Sequence, residues 1–218
     1  MISVRWLSGL VKQSAAGLRL LLVMTVLLGI VYPLLVWGIG QIPGLSAQAN
    51  GSIVTADGQP VGSSLIGLNP VAKDPNNDPY FHTRPSETAS DYSGTDNTKL
   101  GLADNDAATS GASNLAADSD VLKAQIQARK EVIAKREGVS VDQVPADAVT
   151  ASGSGLDPSI SPAYAQIQID RVAKVNGLSV DQVTKIVQDN TSGRGAGFLG
   201  EPTVNVLALN LAVQAAKH

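Results

Sequence analysis

Cysteine is absent from the sequence and histidine occurs only twice, which excludes thiol chemistry, disulfide staples and cysteine-based zinc sites. The chain must therefore hold itself together by a packed core without covalent crosslinks. His218 is the last residue. His82 stands beside Arg84 with no carboxylate read as its partner, so a Ser-His-Asp triad or a histidine metal site lacks its parts. There is no GxSxG pentapeptide and no Gly-Lys-Ser/Thr, so neither a nucleophile elbow nor a Walker phosphate loop is present. Positive charge is scarce beyond the first residues. Three of the 16 Lys and Arg (Arg5, Lys12 and Arg19) precede residue 20 and all 19 Asp and Glu follow it, leaving 13 against 19, a net of −6. That sign is wrong for nucleic-acid binding.

Charge is missing altogether from Leu20 to Ile39, LLLVMTVLLGIVYPLLVWGI. Twenty helical residues at about 1.5 Å each span roughly 30 Å, the hydrocarbon thickness of a bilayer. A cleaved signal peptide ending at Ala47-Gln48-Ala49 competes with this reading. A signal h-region is shorter, about 7–15 residues, and Tyr32 and Trp37 suit a membrane interface, so the run is read as an anchor. Pro33 inside it predicts a kink. Arg5, Lys12 and Arg19 precede the span and no Lys or Arg follows until Lys73, which places residues 1–17 in the cytoplasm, the span at 18–39, and residues 40–218 outside. The expected fold is an α+β extracytoplasmic domain anchored by one N-terminal transmembrane helix.

Along the outer part, Gly51 to Gly67 reads as two short strands around the turn pair Asp57-Gly58. Residues 91–120 are almost devoid of apolar side chains and read as a long surface loop. Val121–Glu137 reads as a half-buried helix with Leu122, Ile126 and Ile133 on its inner side, Arg129 elsewhere, and Gly138 as its stop. A second helix starts at Pro162 behind the cap Ser161 and runs to Gly177, with Ala165, Ile169, Val172 and Ala173 as its core stripe. The related stretches Gly138–Val144 and Gly177–Val183 each carry a Ser/Gln capping box and a hydrophobic staple. They read as helix starters, the first cut short by Pro145 and the second continuing to Asn190. Val204–Leu209 reads as a buried strand, with a helix from Leu207 as the alternative.

Two stretches could be mistaken for chemistry. Gly195, Gly197 and Gly200 spell GxGxxG, but a helix precedes them, Pro202 follows, and the chain ends before the acidic residue a dinucleotide fold requires; a tight turn packed between elements is expected instead. Thr150–Pro162, TASGSGLDPSISP, has no nucleophile context. Gly153 and Gly155 allow unusual turns, Asp157-Pro158 sets an extended step, and a structured loop held by the domain or by a partner follows. Asp104 and Asp106 lack EF-hand spacing.

Several blocks resemble one family, in order from about Leu18 to Val213. They are Gly62–Gly67 (GSSLIG); Asp78–Phe81 with Arg84-Pro85-Ser86; Ser110–Leu115 (SGASNL); Val149–Pro162; Gln168 with Arg171-Val172-Ala173; and Thr191 with Gly193-Arg194, Phe198–Pro202 and Val204–Leu207. This pattern is similar to the C subunit of the Kdp potassium-translocating P-type ATPase. The chain departs from it at Ala112 (usually Gly), Leu68 (often Gln) and Ala116-Ala117 (commonly Gly-Pro). The resemblance implies a noncatalytic accessory subunit of an ATP-driven potassium uptake complex in the bacterial inner membrane. Its implied partners are a channel-like K⁺-binding subunit, a P-type ATPase subunit that hydrolyses ATP through an aspartyl phosphate, and a small single-span subunit. It further implies a role as catalytic chaperone that raises the ATPase subunit's affinity for ATP, hence a nucleotide-binding label. The charge reading conflicts with the last point, since an outer domain cannot meet cytoplasmic ATP, and no cofactor site is read from the residues. Loop composition and resemblance together nominate partner-facing or structural residues: Arg84, Pro85, Ser86, Ser113, Asn114, Ser152, Gly153, Ser154, Gly155, Asp157, Pro158, Gln168, Arg171, Arg194, Gly200, Glu201, Pro202 and Asn205. No catalytic residue or metal ligand is nominated. The alternative function is a stand-alone, membrane-anchored ligand-binding or sensing domain.

Overall fold

A computed structural model describes residues 4–217, with side chains from residue 8 onward; the side chain of Arg5 and all of His218 lie outside the described residues. The chain divides into two units, residues 1–52 and 53–218. The first is helical, and its apolar run is longer than the uncharged core alone predicts. Helix α1 (Val4–Val26) passes through a π-turn at Leu27–Val31 into α2 (Tyr32–Gly40), and the stretch Ser8–Gly40 is long and apolar enough to cross a membrane. The π-turn is the local answer to Pro33. Proline has no N–H, and its ring collides with the carbonyl four residues back, that of Gly29; widening the turn so that Tyr32 N–H reaches Leu27 O relieves this without ending the helix. A short helix α3 (Ser46–Ala49) follows.

The second unit opens with the expected hairpin, β1 (Ile53–Ala56) and β2 (Gln59–Ser63), turning at Asp57-Gly58. Its main helices are α4 (Asp120–Glu137), α5 (Pro162–Asn176) and α6 (Val180–Asp189). A three-stranded antiparallel sheet has β5 (Thr203–Asn205) in the centre, flanked by β3 (Ser159–Ile160) and β4 (Thr191–Ser192). The closing helix is α7 (Val206–Ala215). The core gathers Phe81 from the loops, Ile133 from α4, Tyr164, Ile169 and Val172 from α5, Val183 from α6, Val204 from β5 and Leu209 from α7. The four residues expected as the core stripe of α5 are all buried.

Local signals explain most boundaries. Ser119 and Ser161 accept backbone hydrogen bonds as N-caps, and Gly138 and Gly177 end α4 and α5 at φ of 70° and 71°, where a Cβ would be strained. Both capping boxes form. The one at Ser140 launches only a 3₁₀ turn, Val141–Gln143, before Pro145, whereas Ser179 launches α6.

Two expectations need correction here. The strand expected over Val204–Leu209 stops at Asn205, whose side chain accepts from Ala208 N at 3.0 Å and caps α7. Val206, Leu209 and Val213 then fall on one buried helical stripe. Arg129, expected on the open side of α4, is 1 % exposed. Its guanidinium donates to Leu100 O at 2.8 Å and Val149 O at 2.9 Å, while its neighbour Gln125 donates to Ser93 O at 2.8 Å. Through Leu100 O and Ser93 O these long polar side chains satisfy carbonyls of the 91–119 loop, which contains no helix or strand but is fastened down. Asp91 accepts from Leu102 N and Ala103 N, and isolated bridges join Ala89 to Asn105 and Tyr92 to Leu100.

Candidate functional site

The segment Thr150–Pro158 is the meeting point of several separate sequence blocks. Its backbone is tied in turn to each of them. Ser152 N donates to Pro85 O at 2.9 Å, Gly111 N to Ser154 O at 2.9 Å, Gly67 N to Leu156 O at 2.9 Å, and Val206 N to Pro158 O at 2.9 Å. Side chains complete the knot. Ser86 Oγ donates to Gly155 O at 2.8 Å and Ser110 Oγ to Ser154 O at 3.0 Å. The Arg84 guanidinium binds the Asp157 carboxylate at 2.8 Å and the Thr150 carbonyl at 3.2 and 3.3 Å. Asn205 donates to Ser64 O at 2.9 Å, linking the GSSLIG block to the start of α7.

Glycine is required where these strands of loop touch. An ideal Cβ on Gly67 would stand 2.1 Å from Asp157 O, and one on Gly155, at φ 73°, would stand 3.0 Å from three atoms of Ser86, Thr88 and Gly111. Ser152 is 2 % exposed, and Pro85 and Ser86 are buried. Gly153 is open to solvent, Ser113 is half-buried, and Asn114 holds a φ of 50° with its amide donating to Ala112 O at 2.9 Å. Ser152 Oγ lies 3.2 Å from Ser154 Oγ, and Ser152 Oγ also accepts from Ser154 N and Asp157 N at 3.3 Å. The serine hydroxyls thus serve the loop's own backbone.

Gln168 and Arg171 project from α5 into a second cluster. Glu137, with a fully buried carboxylate, receives Arg136 Nε at 2.6 Å and Arg171 Nε at 2.7 Å. Arg171 also donates to the carbonyls of Asp78 and Tyr80 at 2.8 and 2.9 Å, and Gln168 accepts from His82 N at 2.8 Å. His82 is not the isolated ring that its sequence context suggests. Asp78, four residues earlier, holds its Nε2 at 2.5 Å and Asn69 holds its Nδ1 at 2.9 Å. Both ring nitrogens are engaged, so neither is free to activate a hydroxyl or bind a metal. Among the described residues no group of three or more His, Cys, Asp or Glu is arranged to hold a metal ion.

Burial pushes the His82 pKa from 6.5 down to about 4, helped by the positive charge of Arg136 and Arg171 and opposed by Asp78. Burial raises the Asp78 pKa, but its hydrogen bond from His82, the backbone N–H of Tyr80 and the charge of Arg171 outweigh this and leave it below 3.8. The unfolded chain therefore takes up a proton on His82 near pH 6.5 that the folded chain refuses until about pH 4. Folding stability declines as pH falls through that window, by about 3 kcal/mol. Protonation of Asp78 removes more below it. Urea melts at pH 7 and pH 4.5 will show the loss, and His82→Asn will flatten the slope across this window.

A third group stands apart. Arg194 and Glu201 form an exposed ion pair at 2.7 Å across a small hairpin bridged at Gly195 and Leu199, with Gly200 at φ 74° and Pro202 just beyond. The turn is not packed between elements as expected: Phe198 and Leu199 at its tip are 71 % and 59 % exposed. Spacing of glycines alone did not reveal that the tip is bare.

The chain thus falls in the class of α+β domains joined to one N-terminal apolar helix, and among the described residues Ser152, His82, Arg84, Arg129 and Arg171 are engaged in holding the domain's own loops. A family model described as "K+-transporting ATPase, c chain" matches residues 14–215, and the chain belongs to that family. It is 45 % identical over 211 residues to a protein of Kineococcus radiotolerans named potassium-transporting ATPase KdpC subunit, covering 96 % of this chain and 97 % of that protein. The proteins of the same name from Mycobacterium tuberculosis (43 % over 203 residues, covering 93 % and 97 %) and Rhodopseudomonas palustris (45 % over 206 residues, covering 94 % and 98 %) are similar to it as well.

Proposed function

We propose that this chain is a noncatalytic accessory subunit of an ATP-driven potassium uptake complex, held in the inner membrane by its helix with the α+β domain on the outer side. The observation that carries the reading is the asymmetry of an apolar helical stretch of 33 residues in a chain of this family. Basic side chains precede its uncharged core and a domain of net charge −6 follows it. The partners are a channel-like K⁺-binding subunit, a P-type ATPase subunit and a small single-span subunit. Hydrolysis belongs to the ATPase subunit. A domain outside lies across the membrane from cytoplasmic ATP, so a gain in ATP affinity reaches the ATPase subunit through the assembled complex and not through a nucleotide held by this domain. The closed polar clusters support this reading, because Ser152, Ser154 and His82 are occupied by internal hydrogen bonds.

The test is purification of the potassium pump with and without this chain, followed by K⁺-stimulated ATP hydrolysis across an ATP titration. The reading predicts loss of coupled activity or a raised KM for ATP when the chain is omitted. Full coupled activity with an unchanged KM would contradict it.

A further inference from the structure

One face of the domain is free of charge to an extent the rest is not. From Leu20 to Ala72 the sequence holds a single charged residue, Asp57, and from Thr203 to Ala216 it holds none. These two stretches are far apart in the chain, yet the fold brings parts of them together. Strand β2 with the GSSLIG block and the residues after it forms one wall of a groove and α7 forms the other, enclosing about 260 Å³. Val61, Ile66, Leu68, Tyr80, Leu207 and Leu211 line it, with the amides of Asn210 and Gln214 at hand for hydrogen bonds. Val61 and Leu68 are 40 % and 43 % exposed, and beside them Leu65 and Val71 are 61 % and 59 % exposed. A charge-free groove with large aliphatic side chains exposed along it, on a domain of net −6, is the kind of surface that marks a contact.

Resting on the reading of the chain as a pump subunit, we propose that this groove is a docking site for an uncharged, apolar segment of a membrane-embedded partner subunit, inserting one or two large aliphatic or aromatic side chains. Three features select that occupant. The groove is smaller than the roughly 300–1,000 Å³ typical of small-molecule sites, and it suits side chains better than a free ligand. Its walls supply no Lys or Arg, so anionic lipid headgroups find no counter-charge there, and a bilayer surface presents nothing to fill a concavity. The uncharged stretch is also continuous in sequence with the apolar helix, the hairpin beginning 13 residues beyond Gly40. Depletion of charge in the chain is thus shared between the helix that meets apolar partners and the groove that follows it. Gly62 keeps the groove open on the hairpin side, since a Cβ there would stand 3.1 Å from the Leu207 side chain.

The experiment places a photo-crosslinking phenylalanine analogue at Leu68, at Val61, and at Val132 on the exposed side of α4, in the full chain co-expressed with the pump subunits. Leu68 and Val61 are expected to give adducts to one pump subunit at least tenfold above Val132, and Leu68→Glu is expected to lower K⁺-stimulated ATP hydrolysis at least fivefold while Val132→Glu does not. Adducts to lipid alone, adducts to a second copy of this chain, or equal labelling at Val132 would each overturn the docking site while leaving the subunit reading standing, provided the wild-type chain still co-purifies with the pump. Failure of the wild-type chain to co-purify takes down both.

Discussion

Gly67→Ala is expected to destabilise the domain by about 4 kcal/mol or more, a large share of the roughly 5–15 kcal/mol that typically holds a domain folded. The reason is geometric. The added Cβ would lie 2.1 Å from Asp157 O and 2.6 Å from its carbonyl carbon, atoms of a backbone that cannot swing aside as a side chain can. Moving the 150–158 segment away would break Gly67 N–H to Leu156 O, Ser152 N–H to Pro85 O and Val206 N–H to Pro158 O together. Gly153→Ala on the same segment meets nothing within 4 Å and is the matched control, expected to change stability by less than about 1 kcal/mol. Chemical denaturation followed by circular dichroism distinguishes the two. Wild-type stability in Gly67→Ala would mean that the knot yields and is a spacer.

Glu137→Ala is the second large effect, at about 3–5 kcal/mol. The carboxylate has no exposed side-chain area and lies between two guanidinium groups, at the helix end where the backbone dipole already disfavours a negative charge. It persists because Arg136 and Arg171 surround it. Removing it leaves two cations facing each other in a site from which water is excluded, and Arg171 then loses the partner that steers it onto the carbonyls of Asp78 and Tyr80. Glu137→Gln keeps the shape and one acceptor and should cost less than alanine. Melting curves for the two variants supply the comparison, and equal stability of Glu137→Ala and wild type would show the cluster to be energetically idle.

The parts of this fold legible in sequence are those set within a few residues. The uncharged run at 20–39, the Ser and Gly punctuation of α4, α5 and α6, and the Asp57-Gly58 turn are all local signals, and each element stands where its signal lies. Contacts across long separations were not legible. Gly67 is required because of Asp157, 90 residues away, and no spacing rule connects them. Arg129 was misread on its charge alone: it lies three residues after Ile126 and four before Ile133, on the same face of α4, and Glu137 follows four residues further on, so the helical period itself turns both inward, where loop carbonyls and the buried Arg171 need them. Asp78 and His82 have i, i+4 spacing within a block rich in turn residues, a signal that the reading of His82 as isolated left unused, while the helix named as the alternative from Leu207 is the one that forms, one residue earlier, with Val206, Leu209 and Val213 carrying its period. The nominated residues divide accordingly: Arg84, Ser86, Ser152, Gly155, Asp157, Pro158 and Asn205 fall at or beside one knot, Gln168 and Arg171 in the buried cluster, and Arg194, Gly200, Glu201 and Pro202 on the separate exposed turn.

The central claim is that the α+β domain stands outside the cell membrane, where it can dock on the pump but cannot meet cytoplasmic ATP. Because the chain has no cysteine, a single introduced thiol reports its own side of the membrane. Val132→Cys, at an exposed position on α4, and Gln13→Cys, ahead of the uncharged run, are each treated in intact cells with a membrane-impermeant maleimide. The account predicts rapid labelling of Val132→Cys in intact cells and labelling of Gln13→Cys only after permeabilisation. The reverse pattern would place the domain in the cytoplasm and contradict the account.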